Sequence, residues 1–337
     1  MNTSTDSTNT VNAVKPTKSV YVARLLTDTV THELGSHTGF SFEVGQEAPP
    51  SRAELLERVA GRDAAIVTLT ERIDEEFFAA AGPSLKVVAN VAVGFDNIDL
   101  DAAARHGVVI TNTPGVLDGA TADHTFALIL ALGRRIVEAD RFLHEGRDWV
   151  WGPRMFVGLD ISAGATLGII GLGRIGLAAA KRARAFDMRV IASDATHPLG
   201  TTAEGVEIVS QEELLATADV VTLHVPLLPS TRRLMGADTL AQMKPGAYLV
   251  NCARGGVVDE TALIAAIDSG HLRGAAIDTF EGEPHVNPEL LSRPQIVVTP
   301  HTASAGEATR DRMCRLAVDN VLAVLDGREP LTPVKAS

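Results

Sequence analysis

Means for disulfide cross-linking, membrane insertion and phosphate-backbone binding are all scarce in this sequence. Cysteine occurs only twice in 337 residues, as Cys252 and Cys314, too few for a disulfide framework. A reducing, cytoplasmic setting is the expectation. No run approaches about 18 uninterrupted apolar residues, so no transmembrane helix is expected. The opening MNTSTDSTNTVNAVKPTKS is polar and lacks the apolar core of a secretion signal, and residues 1–18 read as a disordered tail. Basic residues are outnumbered, 30 Lys and Arg against 42 Asp and Glu, for a net charge of −12. That balance argues against nucleic acid and against an anionic membrane surface as partners. An anionic substrate would gain nothing from the overall charge, so its capture must rest on local positive groups.

What is present suits a packed α/β protein. Hydrophobic residues make up 45% and charged residues 21%, and the length exceeds one ordinary core, which predicts two domains. Short β-branched runs alternate with segments of helical period, the pattern of parallel sheet with crossover helices. Early strands are expected near Val20–Ala23, Ala64–Thr68, Lys86–Asn90 and Val108–Thr111, with a helix at Arg52–Val59. The apolar stretch ATADHTFALILALGRRIVEADRFL, 120–143, reads as one long helix spanning roughly 36 Å. After a loop holding Trp149, Trp151 and Pro153, a second series follows. Its six strands are Thr166–Ile170, Arg189–Ser193, Val220–Leu223, Tyr248–Asn251, Ala275–Asp278 and Ile296–Thr299. That number matches a dinucleotide-binding sheet. A last helix is expected over about Gly306–Leu325, with nothing in its pattern to say where it packs.

The sharpest local motif is Gly171-Leu172-Gly173-Arg174-Ile175-Gly176, which follows the strand TLGII and opens the helical LAAAKRARAF. In that context glycines permit a tight turn and let backbone N–H groups meet a pyrophosphate at a helix N-terminus. An acidic residue is then expected about 20 positions on, at the end of the next strand, and Asp194 stands there in RVIASDA. Its carboxylate would accept the adenine-ribose hydroxyls of NAD and repel the 2′-phosphate of NADP. No arginine occurs in the next five residues, 195–199, so NAD is the expected cofactor.

Three polar residues lie just beyond predicted strand ends, where an open α/β sheet borders its ligand crevice. They are Arg254 in VNCARGGVVDE, Glu283 in FEGEP and His301 in VVTPHTASAG. Hydride transfer to a 2-oxo acid needs a cation to hold the carboxylate and polarise the carbonyl, which the guanidinium fork suits. It needs a proton donor for the developing alkoxide, a task for histidine, and a carboxylate to orient that histidine and favour its charged form. Gly255 and Gly256 read as bare backbone beside a ligand. The histidines are scattered, with no metal-ligand spacing, so no metal is expected.

With these residues in place, the chain resembles the D-isomer-specific 2-hydroxyacid dehydrogenases from about Val20 to Leu325. The resemblance rests on NVAVGFDNIDL (90–100), GVVITNTPGVL (107–117), TLGIIGLGRIG (166–176), LHVPLLPST (223–231), MKPGAYLVNCARGGVVDE (243–260), GAAIDTFEGEP (274–284) and TPHTASA (299–305). It implies a catalytic triad of Arg254, Glu283 and His301, with His301 the acid/base. It implies that Asp278 lies near the nicotinamide and that His224, Pro226, Thr231, Cys252, Ala253 and Ala303 line the cofactor. The amides of Val93 and Gly94 would help bind the substrate carboxylate. The implied architecture is a Rossmann-type doubly wound domain over 118–302 and a smaller flavodoxin-like domain made discontinuously from 19–117 and 303–331. Dimerisation through the cofactor domain is the family habit.

Within the family, Trp151-Gly152-Pro153 is most similar to the glyoxylate/hydroxypyruvate and 2-ketogluconate reductases, in which the matching tryptophan can reach the partner's active site. Many of those carry Ser or Arg where this chain has Asp194. Phosphite dehydrogenases carry lysine in place of Val93, and formate dehydrogenases glutamine in place of Glu283. Phosphoglycerate dehydrogenase shares the GFDNIDL segment, and the NAD(H)-sensing co-repressors resembling this family supply a non-catalytic alternative.

Overall fold

Runs of β-branched residues with both neighbours apolar form strands that can be buried on both faces, and such strands dominate this chain. The computed structural model describes residues 17–334. The chain divides into two units, one built from the residues up to Thr113 together with those from Asp311 onward, the other from Pro114–Arg310.

The first unit carries β1 (Lys18–Val22), β2 (Phe40–Val44), β3 (Ala64–Val67), β4 (Val87–Asn90) and β5 (Val109–Thr111). They form a parallel sheet in the order β2-β1-β3-β4-β5, the flavodoxin-like arrangement with its switch point between β1 and β3. β1 begins at Lys18, so the expected tail ends at least one residue earlier, and its residues 1–16 lie outside the described part. β2 was missed from sequence. Its residues FSFEV are all part-exposed or exposed at the sheet edge, so no buried run announces it. The terminal helix Glu307–Leu325 answers an open question. Its Arg315 pairs with Glu33, its Asn320 donates to Thr332 at 2.9 Å, and Val334 donates to the Ile110 carbonyl beside β5.

The second unit carries β6 (Thr166–Ile170), β7 (Arg189–Ser193), β8 (Thr202–Ala203), β9 (Val206–Ile208), β10 (Val220–Leu223), β11 (Tyr248–Asn251), β12 (Gly274–Ile277) and β13 (Ile296–Val298). Their order is β13-β12-β11-β10-β6-β7-β9-β8, parallel except for β8, which runs antiparallel to β9. The expected six strands are all present, and the short β8–β9 hairpin extends them at one edge. Alternate residues feed cores on opposite faces: Leu167 and Ile169 on one, Ile170, Val221 and Leu223 on the other. The chain leaves β6 toward β7 and later returns to β10 on the opposite side of β6, so the switch point lies between β6 and β10. A dinucleotide belongs outside the carboxyl ends there.

The expected single helix over 120–143 is two helices, Asp118–Gly133 and Ile136–His144, with Arg135 between them at φ +55°. A tertiary contact breaks it. The Gly133 carbonyl accepts the Leu159 amide at 2.7 Å instead of an amide four residues ahead. A Cβ on Gly158 would sit 2.0 Å from that same carbonyl oxygen, so only glycine admits the approach. Residues 114–117 and 303–310, expected in the outer domain, belong to the second unit. The Asp278 carboxylate draws in the 303 end by accepting the Ala303 amide at 3.0 Å.

Candidate active site

The glycine turn after β6 is shaped by close backbone packing. Gly171 has φ +93°, and a Cβ there would meet the His224 carbonyl at 2.8 Å. A Cβ on Gly176 would lie 2.3 Å from the Gly171 oxygen, so the helix Arg174–Ala185 can approach the turn only because residue 176 is bare. Gly173 differs: nothing lies within 4 Å of its would-be Cβ. Open space at the middle glycine, at the N-terminus of a 12-residue helix, fits a diphosphate. Arg174 and Ile175 form the first turn of that helix.

Asp194 directly follows β7 and is tied back to the turn. Its Oδ2 accepts the Leu172 amide at 2.8 Å, while Oδ1 accepts the Thr196 amide at 2.8 Å, the Thr196 hydroxyl at 2.5 Å and the His197 ring at 2.9 Å. Burial alone would raise its pKa, but these hydrogen bonds outweigh it and hold the carboxyl well below the usual range. Oδ2 carries one internal donor and keeps an acceptor position for a ribose hydroxyl.

Beyond β10, the His224 ring meets the Thr222 hydroxyl at 3.1 Å, and its surroundings pull its pKa down to about 4 by burial, although the residue keeps part of its surface exposed. Thr231 turns its hydroxyl into its own loop, donating to the Pro226 carbonyl at 2.6 Å and accepting the Leu228 amide at 2.8 Å. Beyond β11, Cys252 is buried, with its thiol pushed up to about 12 by desolvation. Asn251 shapes the turn that follows, accepting the Ala253 amide at 3.0 Å and donating to the Arg254 carbonyl at 3.0 Å.

β11, β12 and β13 are neighbours in register, Asn251 beside Ile277 and Ile277 beside Val298. Arg254 and His301 each lie three residues past the end of an outer strand of this trio, on one carboxyl edge. Strand spacing puts those ends roughly 10 Å apart, within reach of an arginine side chain. Arg254 is half-buried and donates to the Ala253 carbonyl at 2.8 Å. Glu283 joins the strands: its Oε1 accepts the Phe280 amide at 2.9 Å and its Oε2 meets His301 Nδ1 at 2.7 Å. A carboxylate only accepts, so Nδ1 carries the proton and Nε2 is left to exchange one. Gly255 proves to serve packing rather than ligand approach. A Cβ there would fall 1.9 Å from the Phe280 carbonyl carbon, so the bare residue lets the Arg254 turn lie against the Glu283 segment.

Asp278 is fully buried, and its carboxylate lies under the loop that carries His301. It accepts the Thr299 hydroxyl at 2.6 Å, the Thr302 amide at 2.8 Å and the Ala303 amide at 3.0 Å. In the first unit, Val93 and Gly94 occupy the turn after β4, their carbonyls taken by Asn112 at 2.8 Å and Asn90 at 2.9 Å.

The family model for D-isomer specific 2-hydroxyacid dehydrogenases, NAD binding domain, matches residues 126–303. The chain belongs to the D-isomer specific 2-hydroxyacid dehydrogenases. A glyoxylate reductase of Korarchaeum cryptofilum is 47% identical over 84% of this chain and 86% of its own. The structure of a glyoxylate reductase from Paecilomyes thermophila superposes with a TM-score of 0.83 at 31% identity, covering 95% and 98% of the two chains. An NADPH-dependent glyoxylate/hydroxypyruvate reductase of Sinorhizobium meliloti, solved with NADP and malonate, gives 0.81 at 33% identity over 94% and 97%. This dehydrogenase is an NAD(P)-dependent oxidoreductase of the CH–OH group, acting on 2-hydroxy and 2-oxo acids.

Sequence reasoning missed several residues that organise the dehydrogenase site. Asn251 could have been noticed as a polar strand end before the Arg254 turn. Thr299 adjoins the His301 motif, and His124 is a polar residue within an apolar helix, but neither spacing reveals that they meet.

Proposed function

We propose that this enzyme reduces glyoxylate, hydroxypyruvate or a similarly small 2-oxo acid, with NADH as the favoured reductant. The observation that carries the reading is the 2.7 Å contact of His301 Nδ1 with Glu283, on the carboxyl edge that also bears Arg254. Arg254 binds the substrate carboxylate and polarises the carbonyl. Glu283 orients His301 and stabilises its imidazolium, and Nε2 passes its proton to the alkoxide oxygen as that charge develops. The nicotinamide, when bound, supplies the hydride to C2. Gly171, Gly173 and Gly176 would hold its diphosphate and Asp194 its adenine ribose, while His224, Pro226, Thr231, Cys252, Ala253, Asp278, His301 and Ala303 complete that side.

The anionic Asp194 favours NADH, while the neighbouring His197, at 2.9 Å from that carboxylate, would ease a 2′-phosphate. A panel of 2-oxo acids assayed with NADH and NADPH, on the parent and on His301→Ala, tests the whole reading. We expect His301→Ala to lose about 10²–10⁴-fold in kcat with a smaller change in KM. A His301→Ala enzyme as active as the parent removes that residue from its role, and a parent preference for NADPH removes the role given to Asp194.

The same reading includes a homodimer. The helix Ile136–His144 has no buried residue, and Ile136, Leu143, Trp149, Val150 and Trp151 are exposed, Val150 by 90% and Trp151 by 75%. A second copy covering this apolar surface would bring Trp151 toward the partner's substrate. Cys252 and Cys314 are buried and outside any disulfide, which suits a reducing, cytoplasmic setting.

A further inference from the structure

We infer that His124 is a positioning residue for the acid–base histidine, acting through the Thr299 hydroxyl and the Asp278 carboxylate on the backbone that carries His301. The inference rests on the proposed reduction for its catalytic consequence, though the contacts themselves stand alone.

His124 lies in the helix Asp118–Gly133, among the buried Thr121, Ala122, Thr125 and Phe126. Its Nε2 sits 3.1 Å from Thr299 Oγ1 and 3.4 Å from Asp278 Oδ1. Thr299 Oγ1 is in turn 2.6 Å from Asp278 Oδ1. The proton directions follow from chemistry. A carboxylate only accepts, so the single threonine proton is committed to Asp278, and the imidazole must be the donor to Thr299. The resulting relay runs one way, His124 to Thr299 to Asp278.

Every other partner of that carboxylate belongs to the loop around His301. The Thr302 and Ala303 amides donate to Oδ1 and Oδ2, and the His301 amide donates to the Asp278 carbonyl at 2.8 Å. Burial would raise the Asp278 pKa, yet the His124 and Thr299 contacts and the two amides together lower it, so the carboxylate stays charged and keeps accepting. The loop needs such a hold because His301 has φ +51°, a left-handed conformation that a non-glycine residue keeps only where its surroundings enforce it. A histidine that merely filled space would have no chain of directed bonds ending on the amides that follow His301.

Two pairs of variants test this, His124→Ala with His124→Gln, and Thr299→Val with Thr299→Ser. The deletions should each lower kcat roughly tenfold while KM for the 2-oxo acid and NADH stays within about twofold, a loss expected of a misplaced acid rather than of weakened binding. Exchange of the Thr302 and Ala303 amides, measured on the protein without cofactor, should accelerate about tenfold. The glutamine and serine variants, which keep a donor and a hydroxyl, should recover most of both losses. The His124→Ala/Thr299→Val double variant should cost less than the product of the single losses, since both residues act on one carboxylate. Parental kcat in both deletions, parental exchange rates, or multiplying losses in the double variant would each overturn the inference. A parent enzyme that turns over no 2-oxo acid would instead sink the proposed reduction, and the exchange rates would still decide whether the clamp exists.

Discussion

Replacing Gly255 by alanine puts the geometry of the proposed catalytic edge to a quantitative test. The added Cβ would lie 1.9 Å from the Phe280 carbonyl carbon, 2.1 Å from its oxygen and 2.4 Å from the Glu281 nitrogen. Ordinary contact begins at 3.4 Å, so one backbone must retreat by 3.4 − 1.9 = 1.5 Å. All three atoms that resist are main chain, so no rotamer change relieves the clash. The segment being pushed holds the Phe280 amide, 2.9 Å from Glu283 Oε1, and Glu283 in turn holds His301 at 2.7 Å. A misplacement of about 1 Å near reacting groups costs on the order of 100-fold, so kcat/KM should fall by at least about that factor. Overpacking should also cost about 1–3 kcal/mol, read as a lower Tm. Gly256→Ala is the comparison, because its Cβ would have side-chain atoms as its three nearest neighbours, the Leu227 methyl groups at 3.2 and 3.3 Å and Arg232 Nη1 at 3.7 Å, and these can swing aside. NADH oxidation with the best 2-oxo acid, together with thermal unfolding, measures both effects. Parental activity and Tm in Gly255→Ala would mean that the two turns are not in contact and that the derivation is wrong.

Two further predictions follow from the cofactor side of the unit. Gly173→Ala should leave Tm unchanged, because residue 173 is extended at φ −78° with nothing within 4 Å of a Cβ, yet it should weaken NADH binding at least about tenfold by filling the diphosphate space. Unchanged affinity in a fluorescence titration would move the diphosphate elsewhere. For His224, the folded pKa of about 4 lies below the ordinary 6.5, so between those values the unfolded chain binds more protons than the folded one. Its contribution to stability is therefore complete above about pH 6.5 and is lost as pH falls toward 4. Urea unfolding across that window should show a shallower pH slope in His224→Gln, and an identical slope would reject a desolvated ring.

Strands buried on both faces were legible because they must be continuous apolar runs, and β6, β7, β10 and β11 were bounded correctly to the residue. The residues of β2 and of the β8–β9 hairpin make no such run, which is why these passed unseen. The break at Arg135 was equally hidden. Apolar spacing continues through it, and the interruption comes from Gly158 and Leu159, whose backbone claims the Gly133 carbonyl.

Local chemistry, then, was written in the chain itself: which residues accept, donate or carry charge, where glycine permits a tight turn, and which runs must be covered on two sides. Tertiary structure alone decided which of those groups meet. The Gly255 approach to Phe280, the bonding of Asp278 to the loop of residues 299–303, and the reach of His124 to Thr299 all join segments far apart in sequence. Such meetings depend on sheet order and register, which no single segment encodes, because each strand finds its neighbour only when the whole core closes.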